Sequence, residues 1–514
     1  MNGNWTDLIL LCIPLLFLVT AVVAPALRPR AGWQLLQGGN ALALALVLGL
    51  PLLPAPLSGW FIADPLHLIV QGLVTFIGLI VGRYTLHYLA GDDGQGRFQR
   101  WLQLTLGCVM VVVTTNHLVL LVAAWAGISL SLHQLLMYYP ERKRAALAAH
   151  KKFLFARLAE LCLIGAGALL YAEHGTLFLG ELLAAVGGPE GLSLQEQTAA
   201  LLIASAAMVK CAQFPMHGWL IQVVEAPTPV SALLHAGVIN MGGFLLLLMA
   251  PLMRQAELAN WLLLVVAGLT CVAAALITMT RVSIKVLLAW STVAQMGLML
   301  VECALGQYGL ALLHLVAHSC YKAHAFLSAG SEVESFLQRQ MAPLRTPRDA
   351  SIPLLFLLAL LPVAVLVGTG LSGTDAGLWL LLAMLPILLI GERGSVLHRG
   401  SALRALGSAA GVVLLYLVFK TVFAAIAPAS AAPTLAQGLW FTLLVLLLIG
   451  AYWLLRHHGH GGIGRRLYRN LYAGFYLDEW ATRATLALWP ARLPRHASTR
   501  RVGLTAPAIQ ETLS

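Results

Sequence analysis

Several ionisable side chains sit inside long apolar runs, and the chemistry open to them is proton or cation transfer. Lys210 lies in ASAAMVKCAQFPMHGWL, with Pro215 following within about one turn. Proline removes a backbone hydrogen bond, so a helix break is predicted there. A lysine beside a broken helix is the pattern expected of a transporter's ion site, and a desolvated lysine can exchange a proton. Glu160, in HKKFLFARLAELCLIGAGALL, stands three residues after Arg157. That spacing admits a local ion pair on one helix face. It equally leaves Glu160 as the carboxylate partner of a lysine on another helix.

His314, His318 and Lys322, in LLHLVAHSCYKAHAFLSAG, recur every fourth residue. They therefore share one face of one helix, spread over ~12 Å. Such a ladder can hand a proton along, whereas His324 falls off the stripe. A two-histidine zinc site is the rival, since the same spacing suits a metal. No third ligand is visible nearby and HExxH is absent. His235, in EAPTPVSALLHAGVINMGGFLL, follows Pro227 and Pro229. It admits either an interhelical hydrogen bond or a proton-transfer role. Lys420, in GVVLLYLVFKTVFAAIAP, is either buried or snorkels to an interface. Asp375 follows a glycine-rich stretch, GTGLSG, and marks a second discontinuous helix.

The elements that must position these groups follow from composition. Of 514 residues, 59% are hydrophobic and 10% charged, against ~25% charged in soluble domains. That excludes a soluble enzyme, a disordered scaffold and a disulfide-rich secreted module. About fifteen apolar runs are long enough to span a bilayer, with about thirteen as a lower count. They fall near 7–27, 36–56, 65–90, 101–115, 117–138, 151–172, 198–222, 228–254, 260–279, 284–304, 308–330, 352–372, 375–390, 404–428 and 437–456. The runs at 101–115 and 375–390 are short. Continuous runs mean α-helices and exclude a β-barrel. The fold class is therefore an all-α polytopic membrane protein.

Lys and Arg cluster in loops after odd-numbered spans, from Arg28 and Arg30 through Arg142–Arg144 to Arg465, Arg466 and Arg469. Asp64, Glu173, Glu181, Glu190, Glu196 and Glu257 fall on the other side, with Arg254 the basic exception. The positive-inside rule puts the N-terminus in the periplasm and the C-terminus in the cytoplasm of a cell inner membrane. The net charge of +11 is mostly this bias, not a nucleic-acid footprint. Asp7 is the only charge before the first apolar run, so a retained helix is expected rather than a cleaved signal peptide. The seven cysteines lie within apolar spans without CxxC spacing, which favours small core residues over metal or disulfide use. No Walker A, dinucleotide, haem or iron–sulfur pattern is present. No cofactor is expected in this chain.

The stretch KCAQFPMHGWLIQVVEAPTPVSALLHAGVINMGGFLL resembles the antiporter-like family. That family includes the large proton-pumping subunits of complex I, the multisubunit Na+/H+ antiporters and membrane hydrogenase subunits. KKFLFARLAEL, RVSIKVLLAWSTVAQMGLMLV and ALLHLVAHSCYKAHAFLSAG resemble other helices of the same family. The likeness is strong over roughly residues 60–335. It implies two inverted five-helix repeats, each with a broken helix bearing a lysine. By that likeness Lys210 matches the first repeat's lysine, His235 the following helix's histidine, and His314, His318 and Lys322 the central bridging residues. The implied division is N-terminal helices over 1–100, a first repeat over 101–254, a second over 255–430, a last helix over 431–460 and a cytoplasmic amphipathic tail over 461–514.

Two departures qualify the likeness. Where the family usually reads W-E-G, the chain reads Trp125-Ala126-Gly127. Glu160 is then the nearest carboxylate for Lys210. Where the second repeat usually reads S-K-D, Ser372-Gly373-Thr374-Asp375 carries no lysine. The C-terminal part, with Leu467, Leu471 and Phe475 spaced by four, leaves no room for a long lateral helix followed by another span. It resembles the membrane subunits of DAB inorganic carbon accumulation systems. Those imply a cytoplasmic zinc-dependent β-carbonic-anhydrase-like partner, which would supply the zinc and the ligands absent here. The expected function is cation conduction, of H+ or Na+, driving a CO2/bicarbonate pump. A redox-linked proton pump or multisubunit Na+/H+ antiporter is the alternative, and a purely structural membrane anchor a third.

Overall fold

The computed structural model describes residues 5–188, 191–330, 399–458 and 461–490. The expected spans at 352–372 and 375–390, and Asp375, lie outside them. The described chain is helical, with only isolated β-bridges such as Phe61 with Thr115. In order the helices are α1 (Trp5–Val23), α2 (Pro29–Gly49), α3 (Pro65–Tyr88), α4 (Gln95–Thr114), α5 (Leu118–Leu136), α6 (Lys143–His174), α7 (Leu179–Ala185) and α8 (Leu194–Lys210). There follow α9 (Gly218–Gln222), α10 (Thr228–Ala236), α11 (Met241–Leu248), α12 (Ala250–Met253), α13 (Glu257–Thr278), α14 (Ile284–Ala304) and α15 (Tyr308–Leu327). The remaining helices are α16 (Arg399–Ile426), α17 (Leu435–His458), α18 (Gly462–Tyr472) and α19 (Leu477–Leu488).

Among the described residues nine helical segments are long and apolar enough to cross a membrane. α4, α8 and α15 occupy further expected spans but carry too many polar residues or are too short by that measure, and α16 occupies the expected span over 404–428. α4 shows why. The apolar run at 101–115 is short, yet the helix begins at Gln95 and buries Gln99 and Gln103 completely. Gln103 donates to Asn40 on α2 at 2.9 Å. These two glutamines face protein, so hydropathy undercounts the helix.

The run from Thr228 to Leu248 is 94% buried and the Leu435–Leu455 run only 22%. α10 and α11 are thus the centre of the bundle, packed on α3, α8, α14 and α15. α17 lies outside, against α13. Large apolar side chains stay exposed on the outer helices, as with Val22, Leu48, Leu414 and Leu446. Such a girdle suits lipid rather than water.

Two interruptions shape the centre. α8 ends at Lys210, and Ala212 adopts a left-handed φ of 52° before the chain re-enters a helix at Gly218. The expected single span over 228–254 is also broken: α10 stops at Ala236, a short turn covers Val238–Asn240, and α11 begins at Met241. Gly237, at φ −130° and ψ −73°, sits at that break. Asn240 bridges it by donating to the Ala236 carbonyl at 3.1 Å and to the Ser319 hydroxyl of α15 at 2.7 Å.

Loops sort into two sets by contact. Arg97 reaches the Tyr138 carbonyl, Arg142 and Arg144 reach Glu225, and Arg281 reaches the Leu471 carbonyl. On the other side Asp7 accepts from Leu57 and Ser58, Asn116 donates to the Gly59 carbonyl and accepts from the Gly180 N–H, and Glu196 meets His174. The grouping follows the parity of the spans, with the arginine-rich set together. The expected amphipathic face of the tail splits. Leu471 is buried and Leu467 half-buried on α18, but Phe475 stands in a tight turn at φ 53° and is 40% exposed. The helix ends before it, so it leaves that face.

Candidate ion pathway

The first cluster gathers around the C-terminus of α8. Lys210 is its last residue, where the helix macrodipole favours a cation. A capping box at the other end, Ser193 with Glu196, fixes where α8 starts. The Lys210 ammonium sits 4.6 Å over the Trp125 ring of α5 and makes no hydrogen bond among the described residues. The residue that precedes the missing family glutamate thus supplies a cation–π face. A cavity joins Lys210 to Lys152, Trp125, Ser129, Trp219 and Ile239.

Arg157 donates to Glu160 at 2.6 Å, so the local ion pair forms. Glu160 also lies within electrostatic reach of Lys210 and Lys152, so it serves both readings of its spacing. Lys152, one of the buried cations, donates to the Ser129 carbonyl and hydroxyl. Arg157 shares that hydroxyl at 3.2 Å. Three cationic groups therefore surround one carboxylate.

The second cluster lies between α14 and α15. His314 meets both carboxylate oxygens of Glu302 at 3.1 and 3.0 Å. The His314 and His318 rings are 6.0 Å apart, centre to centre. His318 is buried, and neither ring nitrogen has a partner among the described residues. Lys322, fully buried, donates to the Leu288 carbonyl at 3.0 Å and to the Ser291 hydroxyl. The expected one-face ladder is present, and both of its ends are held by α14. His235 hydrogen-bonds to Thr292 at 3.1 Å and stacks on Phe326 at 4.3 Å. It lies within electrostatic reach of Lys322 and His318, and its Nε2 has no partner among the described residues.

Of the remaining expected residues, Asp375 lies outside the described residues. Lys420 is half-buried on α16, which packs against α15. Among the described residues no three His, Cys, Asp or Glu side chains converge as a metal site. Lys152, Ser129, Trp125 and Glu302 join the clusters without having been singled out in sequence. Glu302 carried the signal that picked out Glu160, a lone carboxylate at the end of the apolar run LMLVE. Lys152 did not, because it stands at the very start of the expected span over 151–172, beside Lys151.

A bundle that is helical throughout the described residues, with charged groups buried inside it, has the form of an ion-conducting membrane subunit. The family described as "NADH:quinone oxidoreductase/Mrp antiporter, TM" matches residues 115–396. The chain is 46% identical to the "Probable inorganic carbon transporter subunit DabB" of Hydrogenovibrio crunogenus, over 96% of this chain and 97% of that one. It is 35% identical to the "Probable inorganic carbon transporter subunit DabB2" of Halothiobacillus neapolitanus, over 96% of each. The Mrp complex of Dietzia sp. DQ12-45-1b superposes with a TM-score of 0.58 at 23% identity. That alignment covers 93% of this chain and 56% of the other, and what it shares is the fold. The chain belongs to the antiporter-like membrane subunit family and, within it, to the DabB subunits.

Proposed function

We propose that this chain is the cation-conducting subunit of an energy-coupled inorganic carbon pump. The observation that carries the reading is the pair of buried ionisable clusters on either side of the α10–α11 break, one around Lys210 and one around His318. A charge inside a membrane bundle is costly and marks an ion path more often than a structural support. H+ or Na+ moves inward down its gradient through Glu160, Lys210, His235, His314, His318 and Lys322, with Lys152 and Glu302 added from the geometry. The similarity to DabB subunits supports inorganic carbon as the transported species. The arginine-rich loop set faces the cytoplasm of the inner membrane by the positive-inside rule, which leaves the N-terminus periplasmic.

The chemistry of CO2 hydration is assigned to a cytoplasmic zinc-dependent β-carbonic-anhydrase-like partner. Coupling needs the ion to bind two states of the complex with different affinity, so that flux biases the partner toward one direction. The test is carbon uptake by cells carrying Lys210→Ala in the intact complex. Uptake is expected to fall at least about tenfold, a barrier change of ~1.4 kcal/mol. Undiminished uptake that an uncoupler still abolishes would remove Lys210 from the path.

A further inference from the structure

The C-terminal helices fold back onto the arginine-rich side of the bundle, and the first turn of α19 presents Asp478 to it. One carboxylate oxygen accepts from Lys151 Nζ at 2.6 Å and the other from Gln222 Nε2 at 3.0 Å. Thr482, one turn further on, accepts from the same ammonium at 2.9 Å. Lys151 is wholly buried while Asp478 remains 28% exposed, so the cluster meets solvent through its carboxylate. Gly218 makes room for that carboxylate: a Cβ there would collide with it.

Behind this pair lies His217, fully buried and within electrostatic reach of both Asp478 and Lys151. Neither of its ring nitrogens has a hydrogen-bond partner among the described residues. Two residues on, Trp219 lines the Lys210 cavity, and its indole N–H is likewise unpartnered. Next to Lys151 in α6 is Lys152, which lines the same cavity. Lys151 and His217 thus each adjoin, along the chain, a residue that lines the Lys210 cavity, and Asp478 joins both to the exposed face. A staple that only holds α19 in place has no need of a desolvated lysine or an unpaired imidazole, since apolar packing holds a helix without the desolvation cost. The cytoplasmic mouth of an ion path needs an acceptor in contact with solvent and polar groups behind it.

We infer that Asp478 is the carboxylate at the cytoplasmic mouth of the Lys152–Lys210 cavity, through which the inward-moving cation leaves, so that the C-terminal helix is part of the ion path. The inference rests on the ion-conducting reading above. The test uses the whole complex reconstituted in liposomes, with ion flux and carbon uptake read together. Asp478→Asn keeps an oxygen for Lys151 but removes the ionisable group. It is expected to assemble normally, to leave α18 and α19 protected from protease, and to lose at least about tenfold in flux. Wild-type flux in this variant overturns the inference.

If Asp478→Asn does not assemble, the double variant Lys151→Met/Asp478→Leu decides, because an apolar pair can replace a buried ion pair in docking. A protected α19 without flux supports the cytoplasmic mouth, and restored flux shows a mere staple. Lys210→Met is run beside them. Should it conduct as wild type, the ion-conducting reading itself fails. A dead Lys210→Met beside a conducting Asp478→Asn defeats only the role of Asp478.

Discussion

The two clusters at the centre of the bundle are built on opposite principles. Around Lys210, side chains from α5, α6 and α8 crowd three cations about one carboxylate, with an indole face in place of a second anion. Between α14 and α15, one carboxylate meets one histidine, and the single lysine is held by a carbonyl and a hydroxyl. The first region is charge-rich and depends on its one anion for its own stability. The second is charge-poor and would stand without its ionisable groups. The difference suits a site that holds a charge feeding a relay that passes it on.

Removing the anion is the harshest way to break that contrast. Glu160→Gln leaves Arg157 and the two lysines without their carboxylate. Loss of one partner of a fully buried pair costs about 3–5 kcal/mol. Arg157 is 33% exposed, so a smaller destabilisation of about 1–3 kcal/mol is expected after allowing for solvent screening. The yield of assembled complex and the flux should drop together. Normal assembly in this variant would mean that the first cluster is not held by its carboxylate.

In the ladder the two readouts should separate. His318→Phe fills the same space and leaves no buried donor unpaired, since neither ring nitrogen is bonded among the described residues. Assembly is expected to be unchanged while flux falls about tenfold. A variant with full flux would show that the relay bypasses His318.

Ser193→Ala acts on the first cluster from a distance. It removes half of the capping box that fixes the start of α8, at a cost of about 1 kcal/mol. Thermal unfolding of the purified complex should register that loss with flux nearly intact. A large flux defect here would mean that the position of Lys210 is set from the far end of its helix.

Much of the contrast was legible in the sequence, but not evenly. Pro215 announced the end of α8, and the four-residue spacing of His314, His318 and Lys322 put them on one face. Both follow from local rules, the missing proline N–H and the helical period. The cation–π contact of Lys210, the Ser129 anchor of Lys152 and the docking of Asp478 join residues far apart in the chain, and no local rule reaches that far. The break after Ala236 was missed for another reason: its surroundings are apolar throughout, and a hydropathy window cannot tell a broken buried helix from a continuous one. Gln99 and Gln103 hid the true start of α4 in the opposite way, since polarity that faces protein reads as a loop.

The central claim is that ions pass through the Lys210 cluster. It is tested most directly by imposing a pH or Na+ gradient on liposomes that hold the whole complex and following ion influx in wild type and Lys210→Met. Gradient-driven influx in wild type and a loss of at least about tenfold in a fully assembled Lys210→Met complex is the predicted result. Equal influx through both would contradict it.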